Sequence, residues 1–180
     1  MVDSRGPERN VERVALFIII IAAITWLGGV TIRWVLSGCL LVPGTLDFKL
    51  DLVPAVEREA FRMINYTSIL TLIAYAVVSV SGVVFLFTTT LRFRENGWLM
   101  MAALLFYLFT PAEVYTSYLD GKMISMELWG TPDLVLFREL FISSVAALKG
   151  VPFIALLCYY TIIALAIWQP MKKEPGFQAT

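Results

Sequence analysis

Two apolar runs, Tyr66 to Leu91 and Trp98 to Tyr118, stand on either side of the short link Arg92-Phe93-Arg94-Glu95-Asn96-Gly97. Each run is long enough to cross a hydrocarbon layer of roughly 30 Å, which takes about 20 helical residues. The link is too short for anything but a tight turn between antiparallel neighbours. A chain with this pattern is committed to a membrane helical hairpin.

Val14 to Leu36 and a last stretch ending at Trp168 add two further apolar runs. The repetition excludes a soluble core, whose helices seldom run past about 20 apolar residues. Only 16% of the 180 residues are charged, against about 25% in soluble domains, so little chain is left for a domain outside the membrane. The expected fold is an all-α membrane protein, a four-transmembrane-helix bundle with spans at about 14–36, 66–91, 98–118 and 150–168. Residues 1–13 and 169–180 are polar tails. Two larger non-cytoplasmic loops, 37–63 and the segment after Asp120-Gly121-Lys122, connect the spans.

Within the first loop, Pro43-Gly44 signals a turn. Leu46 to Val53 alternates apolar and polar residues as a short strand or extended segment does. Ala55 to Met63 is compatible with a short helix in which Glu59 and Arg62 pair weakly. In the second loop Asp133 is placed to cap a helix. From there two arrangements compete. One is a single kinked helix from about Leu136 to Trp168. The other is a short interfacial helix over 133–148 with a final span starting near Gly150, and it is preferred because it brings Lys149 to headgroup depth.

With four crossings both termini lie on one side. Arg5, Arg9, Arg13, Arg92, Arg94, Lys172 and Lys173 cluster densely in the tails and the hairpin turn, which the positive-inside rule assigns to the cytoplasm. The expected location is a bacterial cytoplasmic (inner) membrane.

The sequence has no histidine. Within the chain this excludes bis-histidine haem, histidine-containing zinc sites and histidine acid–base catalysis. Cys39 and Cys158 fall in different settings and read as free thiols. No phosphate loop, nucleophile elbow or spaced carboxylate pair is present. No catalytic residue, metal site or cofactor is therefore expected in this chain, and any cofactor would be held by partner subunits.

Five residues stand out as structural or functional candidates. Glu113 lies about 22 Å along the third span, where a carboxylate needs a partner or a proton. Arg33 and Lys149 share its depth and are its expected partners. Pro111 is expected to kink the span two residues earlier. Tyr160, beside Tyr159, sits mid-span and offers a hydroxyl. The five tryptophans (Trp26, Trp34, Trp98, Trp129 and Trp168) read mostly as an interfacial belt, and Gly28-Gly29 as a point of close helix approach.

The layout of four spans with larger loops on one face resembles the tetraspanning arrangement of claudin-like proteins in topology alone. Their first-loop motif, a Trp followed by Gly-Leu-Trp and two cysteines, is missing here, where the loop has Cys39 only. No residue roles are carried across. The expected function is that of a noncatalytic accessory or structural subunit packing against other integral-membrane subunits and lipid, with an energy-converting complex as one setting. The alternative is a small transporter or channel component with Glu113 in a polar path. Nucleic acid is not an expected partner.

Overall fold

The structure, a computed structural model, describes residues 6–89, 91, 93, 95–130, 133–146 and 151–171, with side chains from residue 10 onward. Among the described residues there are six helices: α1 (Gly6–Leu40), α2 (Pro54–Thr88), α3 (Gly97–Leu108), α4 (Thr110–Trp129), α5 (Leu134–Val145) and α6 (Val151–Trp168). Four stretches are long and apolar enough to span a membrane: Asn10–Leu40, Pro54–Thr88, Gly97–Trp129 and Val151–Trp168. The all-α class with four spans, and a short helix before the last, is thus observed. Contacts divide the chain into two compact units, Met1–Thr89 with Ser117–Ala146, and Thr90–Thr116 with Ala147–Thr180.

Helix α1 packs against α2 in the first unit. Trp26 meets Tyr75 with ring centroids 5.0 Å apart. It is almost fully buried there, so it belongs to the packing and not to an interfacial belt. One turn on, a methyl group built on Gly29 would lie 2.3 Å from Thr71 Cγ2, while at Gly28 it would meet nothing within 4 Å. Only the second glycine of the pair is therefore required for close approach. Gly29→Val is expected to cost about 1–3 kcal/mol through overpacking. Thr71→Ser should restore part of it in a double-mutant cycle of unfolding in detergent.

Both helices run well past the membrane. Each has 35 residues, or roughly 52 Å, which exceeds the hydrocarbon layer by about 20 Å. The expected loop 37–63 is thereby shortened to residues 41–53. Pro54 starts α2, with Glu57 in its first turn. Proline suits that position, where its missing N–H would have been unsatisfied, and the acidic residue suits the positive end of the helix dipole. Hydropathy registers the membrane but not the helix that continues outside it.

The connection 41–53 is not a strand. It holds one isolated bridge, Leu41 to Phe48. Gly44 takes φ +82°, and the Thr45 N–H donates to Val42 O at 3.0 Å, closing the turn expected at Pro43-Gly44. Lys49 Nζ donates to the carbonyls of Gly38 and Cys39 at 2.9 and 3.0 Å. Those carbonyls end α1 without helical partners, and a cation is favoured at that pole. Phe48 and Leu52 reach the core while Leu50 projects fully into the surroundings.

The overshooting ends of α1 and α2, the later turns of α4, and α5 assemble a cap. Leu40, Leu41, Phe61, Ile64, Met123, Phe137 and Phe141 are its buried core, with Phe48 packed against them. Phe61 is its centre, with ring centroids 5.6 Å from both Phe137 and Phe141 and 6.2 Å from Phe48. Asp120-Gly121-Lys122, read from the sequence as a bend, is helical because Asp120 and Met123 are drawn into this unit. The Asp133 carboxylate accepts from the Val135 N–H at 2.9 Å and caps α5 as expected. Between α5 and α6, residues 147–150 lie outside the described residues.

In the second unit α3 packs against α6. Ala155 and Tyr159 are the buried residues of α6. At Pro111 the helical bonding of the third span is interrupted, α3 ending at Leu108 and α4 starting at Thr110. The carbonyl it would have bonded, Tyr107 O, accepts instead from the N–H of Phe109, the residue between α3 and α4. Helical bonding resumes with Glu113 N–H to Phe109 O at 3.1 Å. A missing donor and a ring clash four residues back give this arrangement.

Candidate functional site

Two polar constellations occur in the described residues, one in each unit. The larger lies in the cap. Arg33 on α1 donates two hydrogen bonds to Asp120 on α4, Nη1 to Oδ2 at 2.5 Å and Nη2 to Oδ1 at 2.8 Å. Ser144 on α5 adds a bond to Asp120 Oδ1 at 3.2 Å. A planar guanidinium matched to both carboxylate oxygens fixes orientation as well as distance. Asp120 is 3% exposed and Arg33 20%, so the pair is held largely out of water.

A second pair joins α5 to α2. Arg138 donates from Nε and Nη2 to the two oxygens of Glu57 at 2.5 and 2.6 Å. Glu57 is fully buried, whereas Arg138 is nearly half exposed and lies over the Phe48 ring. The hydrogen bond to Glu57 holds the Arg138 guanidinium above its ordinary pKa, with burial opposing and the charge of Glu57 assisting. The stabilisation attached to that shift is complete below the ordinary arginine range and fades only in strong base. A third pair, Arg58 to Glu127 at 2.6 Å, ties α2 to α4, with Arg58 over the Phe137 ring. Glu59 and Arg62 also approach, at 3.7 Å, as their spacing implies. Exposed as they are, they contribute little.

These pairs correct the expected partner of Arg33. The guanidinium is bonded to Asp120, not to Glu113, because α4 continues as helix through Asp120 and carries that carboxylate into the first unit. The other partner expected for Glu113, Lys149, lies outside the described residues.

Glu113 belongs to the second constellation. Its Oε1 accepts a hydrogen bond from Tyr159 Oη on α6 at 3.0 Å. The Tyr159 ring is buried and tilts against Phe106 and Phe109 at 5.9 and 6.3 Å. Tyr160, the hydroxyl singled out in the sequence, is 46% exposed. One residue turns a helix by about 100°, so only one of two adjacent tyrosines can face inward. Periodicity gives no basis for choosing between them in a helix apolar on all sides. Tyr159→Phe is expected to lower unfolding stability by about 0.6–1.7 kcal/mol, the range of hydrogen bonds between membrane helices. Tyr160→Phe should leave the thermal midpoint in nanodiscs in place.

Among the described residues no group of three or more His, Cys, Asp or Glu side chains gathers as metal ligands do. Near the N-terminal part of α1 an open apolar groove of about 680 Å³ runs between Val11, Val14 and Ala15 on one side and Ala76, Val80 and Val84 on the other. No protein-family profile, characterised protein or solved structure matches the chain.

Proposed function

We propose that this chain is a noncatalytic structural subunit of a larger integral-membrane complex, packing its spans against partner helices. The observation that carries this reading is a division of labour. The Arg33–Asp120, Glu57–Arg138 and Arg58–Glu127 pairs join elements of the chain to one another. Its apolar surface meanwhile goes largely uncovered. In the most apolar part of the four spans only 22%, 22%, 17% and 11% of residues, in chain order, are buried by the chain itself. Partner helices and lipid cover the remainder. Small and β-branched residues such as Ala15, Ala76 and Val80 suit close helix packing. The complex is proposed to sit in a bacterial cytoplasmic membrane, with both termini cytoplasmic and the cap on the other face.

The test is mild solubilisation followed by identification of what co-purifies. A stoichiometric assembly with other membrane subunits supports the reading. A lone homo-oligomer that conducts ions in liposomes overturns it in favour of a transporter or channel component. The Tyr159–Glu113 bond within membrane-length helices is the observation favouring that second reading. Orientation has its own test, because Cys39 is exposed at the cap end of α1. A membrane-impermeant maleimide is expected to label Cys39 in intact cells. Labelling only after lysis reverses the topology.

A further inference from the structure

The buried stripe of α2 contains two polar side chains with no hydrogen-bond partner among the described residues. Asn65 is 2% exposed and Ser68 is 0% exposed, and Asn65 Nδ2, Asn65 Oδ1 and Ser68 Oγ are all unpartnered. Residues three apart share a helix face, so the groups form one polar spot. Buried amides and hydroxyls nearly always have a partner, either protein or ordered water.

The helix register shows what lies beside that spot. Trp26 packs on Tyr75 and Gly29 on Thr71, so residues of α1 and α2 run past each other in opposite directions from that contact. Arg33, one turn beyond Gly29, comes level with Ser68, about one turn before Thr71. Arg33 brings Asp120 and Ser144 with it. Further along, Leu40, Phe61 and Ile64 are already cap core. A layer of polar residues is therefore enclosed between the Trp26–Tyr75 contact on one side and the aromatic core on the other.

We propose that this layer is an internal hydration site, in which ordered water joins Asn65 and Ser68 to the Arg33–Asp120 pair. The formal charges in the layer cancel, which favours a neutral ligand over an ion. The spot offers both donors and acceptors. A buried water typically takes two to four polar partners, and those of the layer suffice. The hydroxyl hydrogens of Ser37 and Thr71 are already donated to the carbonyls of Arg33 and Ser68, so neither is left to donate to the amide oxygen of Asn65. Water here keeps the ion pair solvated without opening the cap.

The chain has three asparagines, Asn10, Asn65 and Asn96, which makes the test selective. The full-length protein is labelled with ¹⁵N-asparagine and placed in lipid nanodiscs. The Asn65 side-chain amide, assigned by its loss in Asn65→Leu, is examined for rotating-frame cross-peaks to water of the sign that marks dipolar contact rather than proton exchange. A cross-peak is expected, together with a thermal midpoint lowered by about 2–4 °C in Asn65→Leu and also lowered in Ser68→Ala. A missing cross-peak overturns the proposal. So does a midpoint unchanged or raised in Asn65→Leu, since removing an amide that bonds to nothing removes only a cost.

Discussion

Asp120→Ala is expected to lower the unfolding stability of the protein by about 3–5 kcal/mol, the range for removing one partner of a buried ion pair. Arg33 keeps its charge in the variant but loses the carboxylate that receives both its terminal nitrogens. Only a fifth of its side chain reaches the surroundings, so water replaces the lost bonds poorly. The lower end of the range applies because that fifth remains hydrated. Ser144→Ala, which removes a neutral donor to the same carboxylate, is expected to cost about 1 kcal/mol. The informative comparison is Arg33→Met combined with Asp120→Leu. If most of the single-variant cost is an orphaned charge, the double variant must unfold closer to wild type than either single change. Reversible unfolding in mixed micelles, followed by limited proteolysis of the cap, measures all four proteins.

Asp120 also shows where sequence reasoning stops. The four spans were legible because length and apolarity are local properties that the bilayer imposes on each segment separately. The cap of Asp133 and the turn at Pro43-Gly44 were legible for the same reason, since each is set by one or two neighbouring residues. The charged first turns of α2, from Glu57 to Arg62, read as a short helix within the loop and not as the start of the span, because hydropathy reports where lipid is, not where a helix ends. Asp120-Gly121 has the composition of a bend in water, yet it is helical where Arg33 supplies a partner 87 residues away in the chain. Glu113 stands out in the sequence as a carboxylate at membrane depth, and in the structure its Oε1 accepts from Tyr159. That hydrogen bond depends on which face of α6 turns toward it, which a helix apolar on all sides does not announce. Arg138 and Glu57 carry no sequence signal of their pairing. They are 81 residues apart, and only the folding of α5 onto α2 brings them together.

Phe61→Ala is the second large effect, and it tests whether the cap is a packed unit or a set of loops. Phe61 is 1% exposed and touches three other aromatic rings, those of Phe48, Phe137 and Phe141. Truncating a buried phenylalanine costs about 3–5 kcal/mol, from lost transfer free energy and from the cavity left behind. Here the cavity would open at the point where three segments of the chain converge, the connection 41–53, α2 and α5. The Glu57–Arg138 pair holds α2 to α5, and Lys49 ties the connection to the end of α1, so the site can collapse only partly and the upper half of the range applies. Phe61→Leu, which keeps most of the volume, should cost less than half as much. Hydrogen exchange locates the effect. In Phe61→Ala, protection is expected to fall in α5 and at the start of α2, while the α1–α2 contact around Trp26 and Tyr75 stays protected. Loss of protection spread evenly through α1 and α2 would mean that the cap and the membrane hairpin unfold as one cooperative element.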